Sequence, residues 1–150
     1  MKKLHRIILF RGYNAKNKTW LHGYYIQNRL GHFVTPNEFA RGKDWDDYEV
    51  DPDTVGQFTG TYDKTGAMVY EGDIVDAWSA GSHISHGIVK FASPRFFILV
   101  NHSEKGTPID CWGLAPSQFD GNDEHLKVVG NIHDNPDLVK AYLEYQKHHV

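Results

Sequence analysis

The sequence predicts a mainly β, β-rich α+β fold: an N-terminal hairpin region, then a small open barrel, then a C-terminal helix. Three observations predict it. Short runs rich in β-branched and aromatic residues recur along the chain, bounded by glycine, asparagine and aspartate. Between Asp73 and Val129 these runs follow one another with regular turns and no long helical period. Only the tail, from Asn135 onward, carries an apolar stripe at helical spacing. The 150 residues fit one domain over 1–150, divisible into a β-rich part over 1–54 and a barrel with its helix over 55–150.

Residues 4–11 read as the first strand, Ile7 and Leu9 marking the more apolar face. Residues 14–18 are a polar turn, and residues 20–26, aromatic at Trp20, Tyr24 and Tyr25, return as the second strand of a hairpin. Residues 30–34 add a short strand, stopped at Thr35-Pro36. Residues 37–48 are polar and charged, and read as a loop or short helical turn, the most mobile region, pinned by Phe39, Trp45 and Tyr48. Residues 55–61 and 67–70 flank Asp63-Lys64-Thr65-Gly66, a turn in which Gly66 takes positive φ without a Cβ clash. Glu71-Gly72 then bends the chain into a strand over 73–78, with Asp73 exposed at its start. Residues 79–86 read as a polar connection and 87–91 as a strand ending near Pro94. Residues 95–101 are apolar on both faces: Phe96, Ile98 and Val100 on one, Phe97 and Leu99 on the other. That pattern marks a central or interfacial strand. Residues 109–114 and 126–129 are the last strands. In the tail, Asn135 suits an N-cap, Pro136 the first helical position and Asp137 the positive end of the helix dipole. Leu138, Val139, Tyr142, Leu143 and Tyr145 form the stripe.

Composition narrows the function classes. An aromatic share of 13% favours a packed globule over a disordered chain. The formal net charge of −3 argues against non-specific nucleic-acid binding, which draws its affinity from basic surfaces. Cys111 is the single cysteine and has no intramolecular disulfide partner, so a reducing cytoplasm is expected. The apolar run over 7–10 is too short for a signal-peptide core or a membrane span, and no membrane partner is expected.

Three blocks of the sequence resemble the YopX family of phage and prophage proteins. Phe10-Arg11-Gly12-Tyr13 with Asn17-Lys18-Thr19-Trp20 looks like its opening. Phe58-Thr59-Gly60, Asp63-Lys64-Thr65-Gly66 and Tyr70-Glu71-Gly72-Asp73-Ile74-Val75 match its central signature. Val129-Gly130-Asn131-Ile132 and Asp134-Asn135-Pro136-Asp137-Leu138 match its ending. Residues 23–53 match nothing in that pattern. The resemblance implies a phage or prophage origin, a site in the host cytoplasm, a β-rich fold with an SH3-like part, and self-association. It implies no catalytic residue.

Read as chemistry, Glu71 and Asp73 flank Gly72 and suit a turn better than an acid–base pair. His83 and His86, two residues apart in a Gly/Ser-rich stretch, lack the spacing of a helical zinc site; Cys111 is alone, and His133 reads as a turn residue. No metal or cofactor is expected. Phosphate-loop, dinucleotide, nucleophile-elbow and zincin motifs do not occur. Trp78 and Trp112, with Lys90 and Arg95, are candidates for a stacking and phosphate-binding surface. Phe96, Phe97, Tyr142 and Tyr145 are candidates for an oligomer seam. The leading expectation is a homo-oligomeric accessory protein that acts by binding a host protein or a nucleic acid. The alternatives are sequestration of a nucleotide-type small molecule and an acid–base hydrolase using Glu71 or Asp73.

Overall fold

The computed structural model describes residues 6–101, 109–116 and 121–140, and at 79, 83–85, 100–101 and 109–112 the backbone alone. The chain divides into two compact units, Met1–Gly60 and Thr61–Val150. It is β-rich, with eleven strands and three short 3-10 turns among the described residues.

The first unit is an antiparallel meander of β1 (Phe10–Asn14), β2 (Thr19–Asn28) and β3 (Gly31–Thr35). The start of β4 (Gly56–Asp63) pairs on the other side of β1. β1 begins at Phe10, later than the sequence pattern suggests. Its ladder starts where Phe10 meets Gly23 and Gln57, so partner register sets the boundary and local hydrophobicity does not. The β1–β2 turn is closed by Asn14, whose Oδ1 accepts from the Asn17 N–H at 2.6 Å. Residues 36–54 contain 3-10 turns at Trp45–Asp47 and Pro52–Thr54. The Asn14 amide donates to the carbonyls of Asp46 and Glu49, and Val34 N–H donates to Tyr48 O. Phe39 packs on Tyr48 and Trp45, and Trp45 meets the buried Phe33 edge-on, so the segment has an aromatic anchor. Asp47 serves as the returning carboxylate of a capping box on Asp44. The Asn17 amide and the Asp44 N–H, with Lys16 nearby, hold its carboxyl at a pKa of about 2.

The second unit adds β5 (Met68–Tyr70), β6 (Asp73–Ser79), β7 (Ser82–Ala92), β8 (Arg95–Asn101), β9 (Ile109–Gly113), β10 (Asn122–Asp123) and β11 (Leu126–Asn131). Five of these form one antiparallel sheet in the order β11-β6-β7-β8-β9. The β6–β7 connection is a tight turn at Ala80-Gly81, both at positive φ, as a two-residue hairpin requires. The long polar connection expected over 79–86 is therefore mostly strand, and His83 and His86 lie within β7.

Side chains alternate to two cores. Val75, Ala77, Val89 and Ile98 pack with Val69 and Leu126. Ile74 and Ile88 point the other way and pack with Val139, joined by Leu99, Val129 and Ile132. The strand with two apolar faces is thus covered on both sides by its own chain along its middle. That cover comes from within the chain at Ile98 and Leu99, which agrees with the central-strand side of the reading of residues 95–101. No ladder closes the sheet into a barrel among the described residues. The end of β9 and the β10–β11 turn instead meet through one side chain: Asp123 Oδ2 accepts from Ala115 N–H at 2.8 Å.

Buried polar groups lock the turns. Asp63 is 1% exposed. Its Oδ1 accepts from Thr65 N–H, the Thr65 hydroxyl and Ala67 N–H, and its Oδ2 accepts from Val128 N–H at 2.8 Å. Burial pushes this carboxyl up, but the four hydrogen bonds to the charged form outweigh it and hold it below the ordinary carboxylate range. Lys64 N–H adds a bond to Leu126 O. In the next turn Gly72 sits at φ +87°, donates to Val89 O and accepts from Ile132 N–H. Asp73 is not exposed, as the strand-start pattern suggests, but buried, and its Oδ2 accepts from Tyr70 N–H at 2.7 Å.

The last turn is a knot of asparagine bonds. Asn131 Oδ1 accepts from the N–H groups of His133 and Asp134, and its amide donates to Asp134. Asn135 does not cap a helix with its side chain. Its Oδ1 turns back to Asn131 N–H, over Gly130, where a Cβ would lie 2.3 Å from that oxygen. Residues Pro136–Val139 form a 3-10 turn. Tyr142, Leu143 and Tyr145, and with them most of the expected C-terminal helix, lie outside the described residues.

Asp63→Asn should destabilise the protein by about 2–4 kcal/mol, because an amide keeps one acceptor oxygen and aims an N–H at a donor. Urea denaturation at neutral pH measures it. The folded-state pKa of Asp63 lies below its unfolded value, so its contribution is present above pH ~4 and fades as pH falls through the folded value. The gap between wild type and variant should therefore shrink in acid.

Candidate functional site

A cleft of about 380 Å³ opens in the second unit, lined by Trp78, Ile98, Gly113, Ala115, Asp123, His125 and Leu126. β6 delivers Trp78 at a bulge, where the register against β7 shifts between Ala77 and Trp78. Trp78 N–H donates to His125 O at 2.9 Å, fixing the β10–β11 turn beside the indole. Buried Ile98 and Leu126 make an apolar floor. Gly113 and Ala115 make an open rim, since a Cβ at Gly113 would meet nothing within 4 Å.

The polar side of the cleft is held in place from below. Asp123 is buried; its Oδ1 accepts from His125 N–H at 2.9 Å and lies 3.2 Å from His125 Nδ1. The imidazole stands well exposed above it. The Lys64 ammonium lies 3.7 Å from the centre of the Trp78 ring, within cation–π range. A half-buried indole, a cation on its face, an oriented imidazole and an apolar floor suit the binding of a group that is partly apolar and partly polar.

The candidates named from sequence are dispersed by the fold. Trp78 lines the cleft. Lys90 lies on β7 opposite Phe97, seven residues beyond the partner of Trp78, about 23 Å of strand away. Arg95 is exposed at the start of β8. Trp112 has its backbone in β9, next to Gly113, and its side chain lies outside what is described. Trp78, Lys90 and Arg95 are therefore not brought together: β7 is long and carries Lys90 toward its far end, where Arg95 opens β8. Phe96 and Phe97 are half-buried, while Phe91, which sequence reading passed over, is 49% exposed and packs against Phe96 at 5.0 Å between ring centres. Tyr142 and Tyr145 lie outside the described residues. Glu71, Gly72 and Asp73 form the β5–β6 turn. His86 pairs with Asp76 across β6 and β7 at 2.7 Å, and among the described residues no three His, Cys, Asp or Glu side chains gather as a metal site.

Lys64, Asp123 and His125 were missed. Lys64 stands in a turn tetrad that reads as backbone chemistry alone. Asp123 and His125 stand in Gly121-Asn122-Asp123-Glu124-His125, whose Asp-x-His spacing is the trace of a side chain bonding two residues ahead.

In the first unit, Trp20 carries the Arg11 guanidinium at 5.1 Å and Tyr13 edge-on at 5.6 Å. Burial, with Arg11 alongside, lowers the pKa of the neighbouring His22. A second recess, of about 550 Å³, is bordered by Asn14, Lys16, Asp46, Glu49 and Asp51 and is mostly acidic. Its Asp51 caps the Pro52–Thr54 turn and its Asn14 is engaged with backbone.

The two-unit architecture, with its asparagine- and aspartate-locked turns, is that of a β-rich protein. The family model for "YopX protein" matches residues 9–140, and the chain belongs to the YopX family. It is also similar to the crystal structure of protein EF1440 from Enterococcus faecalis, at 22% identity and a TM-score of 0.46, over 90% of this chain and 99% of that one. Comparison with curated proteins returned no match. No helix among the described residues is long and apolar enough to cross a membrane.

Gly72→Ala should cost on the order of 1 kcal/mol or more, from the positive φ alone. Asp73→Asn should cost more than Glu71→Gln, because Asp73 is fully buried with Tyr70 N–H on its carboxylate while Glu71 is partly exposed. Thermal melts of the three variants give the order.

Proposed function

We propose that the chain is a phage or prophage accessory protein that acts by binding in the bacterial host cytoplasm, as a homo-oligomer, with the Trp78 cleft as its recognition site for a host protein or nucleic acid. The observation that carries this is the cleft itself: an apolar floor beside an indole, with His125 in the lining and the Lys64 ammonium on the indole ring. Asp73 supports a binding reading over an acid–base one, since its carboxylate is engaged with Tyr70 N–H at the turn. The same reading takes the five-stranded sheet as the SH3-like part of the family.

Self-association is supported by Phe91 and Phe96, an aromatic pair beside exposed Arg95 at the β7–β8 turn. Phe91 replaces Phe97 as the residue expected at the seam. Sequestration of a small molecule of nucleotide type stands second, favoured by the cleft's volume, which falls in the range of small-ligand sites.

Native mass spectrometry of host-expressed protein tests the reading. A co-purifying macromolecule lost in Trp78→Ala is the expected result. A small molecule lost in the same variant moves the assignment to sequestration, and turnover of a substrate that depends on Glu71 overturns both. In light scattering, the wild type should exceed 17.2 kDa and Phe91→Asp should fall toward it.

A further inference from the structure

The β7–β8 hairpin ends in an exposed tip over residues 91–95. Phe91 is 49% exposed and packs with Phe96 on one face of it. Lys90 pairs with Phe97 and Ala92 with Arg95, so the two cations share the other face as diagonal neighbours, about 7 Å apart. The sequence has no Asp or Glu between Asp76 and Glu104, so the hairpin carries these cations with no carboxylate of its own. In a chain with 19 acidic residues against 16 basic ones, the tip is a local reversal of sign. The opposite excess lies in the first unit, where Asp44, Asp46, Asp47, Glu49, Asp51 and Asp53 stand close together in sequence. Asp47 is engaged by Lys16, Lys43 and the Asn17 amide. Asp46, Glu49 and Asp51 are exposed, and with Val50 and Pro52 they border the recess of about 550 Å³. Aromatic rings with cations on one surface thus have a counterpart on another: apolar residues with carboxylates.

From this complementarity we infer that the β7–β8 tip of one copy docks end-on in the acidic recess of a second copy, with Phe91 against Pro52 and with Lys90 and Arg95 facing Asp46, Glu49 and Asp51. The inference rests on the self-association reading above and names the surface that receives Phe91. Burial of the ring supplies affinity, while the charges choose the partner surface and its orientation, since exposed ion pairs add little each. The contact joins unlike patches, and every copy carries both. Two copies that exchange tips close into a dimer with the contact made twice, and docking in one direction runs on into a ring.

The test uses the full chain and two charge-reversed variants, Lys90→Glu with Arg95→Glu in the tip and Asp46→Lys with Glu49→Lys in the recess. These side chains lie at the surface, so both variants should keep the wild-type melt. In sedimentation, each variant alone should fall to about 17.2 kDa. An equimolar mixture should return to the wild-type mass, because the intact tip of one variant meets the intact recess of the other. For the wild type, raising salt from about 0.05 M to about 0.5 M should weaken association at least tenfold. A recess variant that keeps the wild-type mass overturns docking on the recess and leaves a like-with-like seam through Phe91. Dissociation of both variants without recovery on mixing overturns the docking as well. A wild type that is monomeric overturns self-association itself, and this inference with it. If a reversed recess variant melts early, Asp46→Asn with Glu49→Gln takes its place, with at least a tenfold weaker association expected and an unchanged one overturning the docking.

Discussion

Asp63 is a carboxylate taken out of water and given four donors in exchange, and the second unit is organised around that exchange. Three donors come from its own turn and one comes from Val128, in a strand 65 residues later. A buried charge without these partners would cost several kcal/mol. The turn after β4 and the position of β11 are therefore one decision. With β11 fixed, its pairing fixes β6, and its first residue, Leu126, becomes the floor of the cleft. Lys64, one residue past Asp63, is delivered onto Trp78 by the same turn. The polar lock and the cation on the Trp78 ring are consecutive residues of one loop.

Of the blocks that carry the resemblance to YopX proteins, the Asp63–Gly66 and Tyr70–Val75 parts of the central signature meet the ending in space within this unit. The Asp63 turn bonds β11, and the Gly72 turn accepts from Ile132 beside the Asn131–Asn135 knot. These are side-chain-to-backbone bonds and a glycine at positive φ, interactions that fix main-chain path. Their chemistry is that of architecture. The cleft draws on different residues: Trp78, His125 and the small residues at the end of β9 lie outside the quoted blocks.

The positions of several strands were legible in the sequence because alternating apolar residues and turn-forming glycines and aspartates act locally. The β6, β8 and β9 segments fall close to where the pattern puts them. What escaped were facts set by distant residues. The start of β1 depends on where β2 and β4 pair with it. Asn135 reads as a helix cap from its neighbour Pro136, yet bonds Asn131 because Gly130 leaves room for it. Asp73 reads as a surface turn acid and is buried by the sheet packed around it. Of the site, only Trp78 was visible. Lys90 and Arg95 are near Trp78 in sequence, but a strand of eleven residues converts that nearness into separation, while Asp123 and His125 arrive from the far end of the chain.

The span of the Asp63 bond also sets a schedule for synthesis. A ribosome delivers the Asp63 turn long before Val128 emerges, and Ile132, which closes the Gly72 turn, comes later still. Until then the carboxylate keeps water as its fourth partner, and β6 lacks the neighbour that β11 provides. Completion of the second unit is thus tied to a strand 65 residues further along, a non-local closure of the sort that slows folding. The β1–β3 meander draws on residues close in sequence and is free to form first. A ribosome stalled before Val128 would hold a finished N-terminal meander joined to a sheet still short of its edge strand.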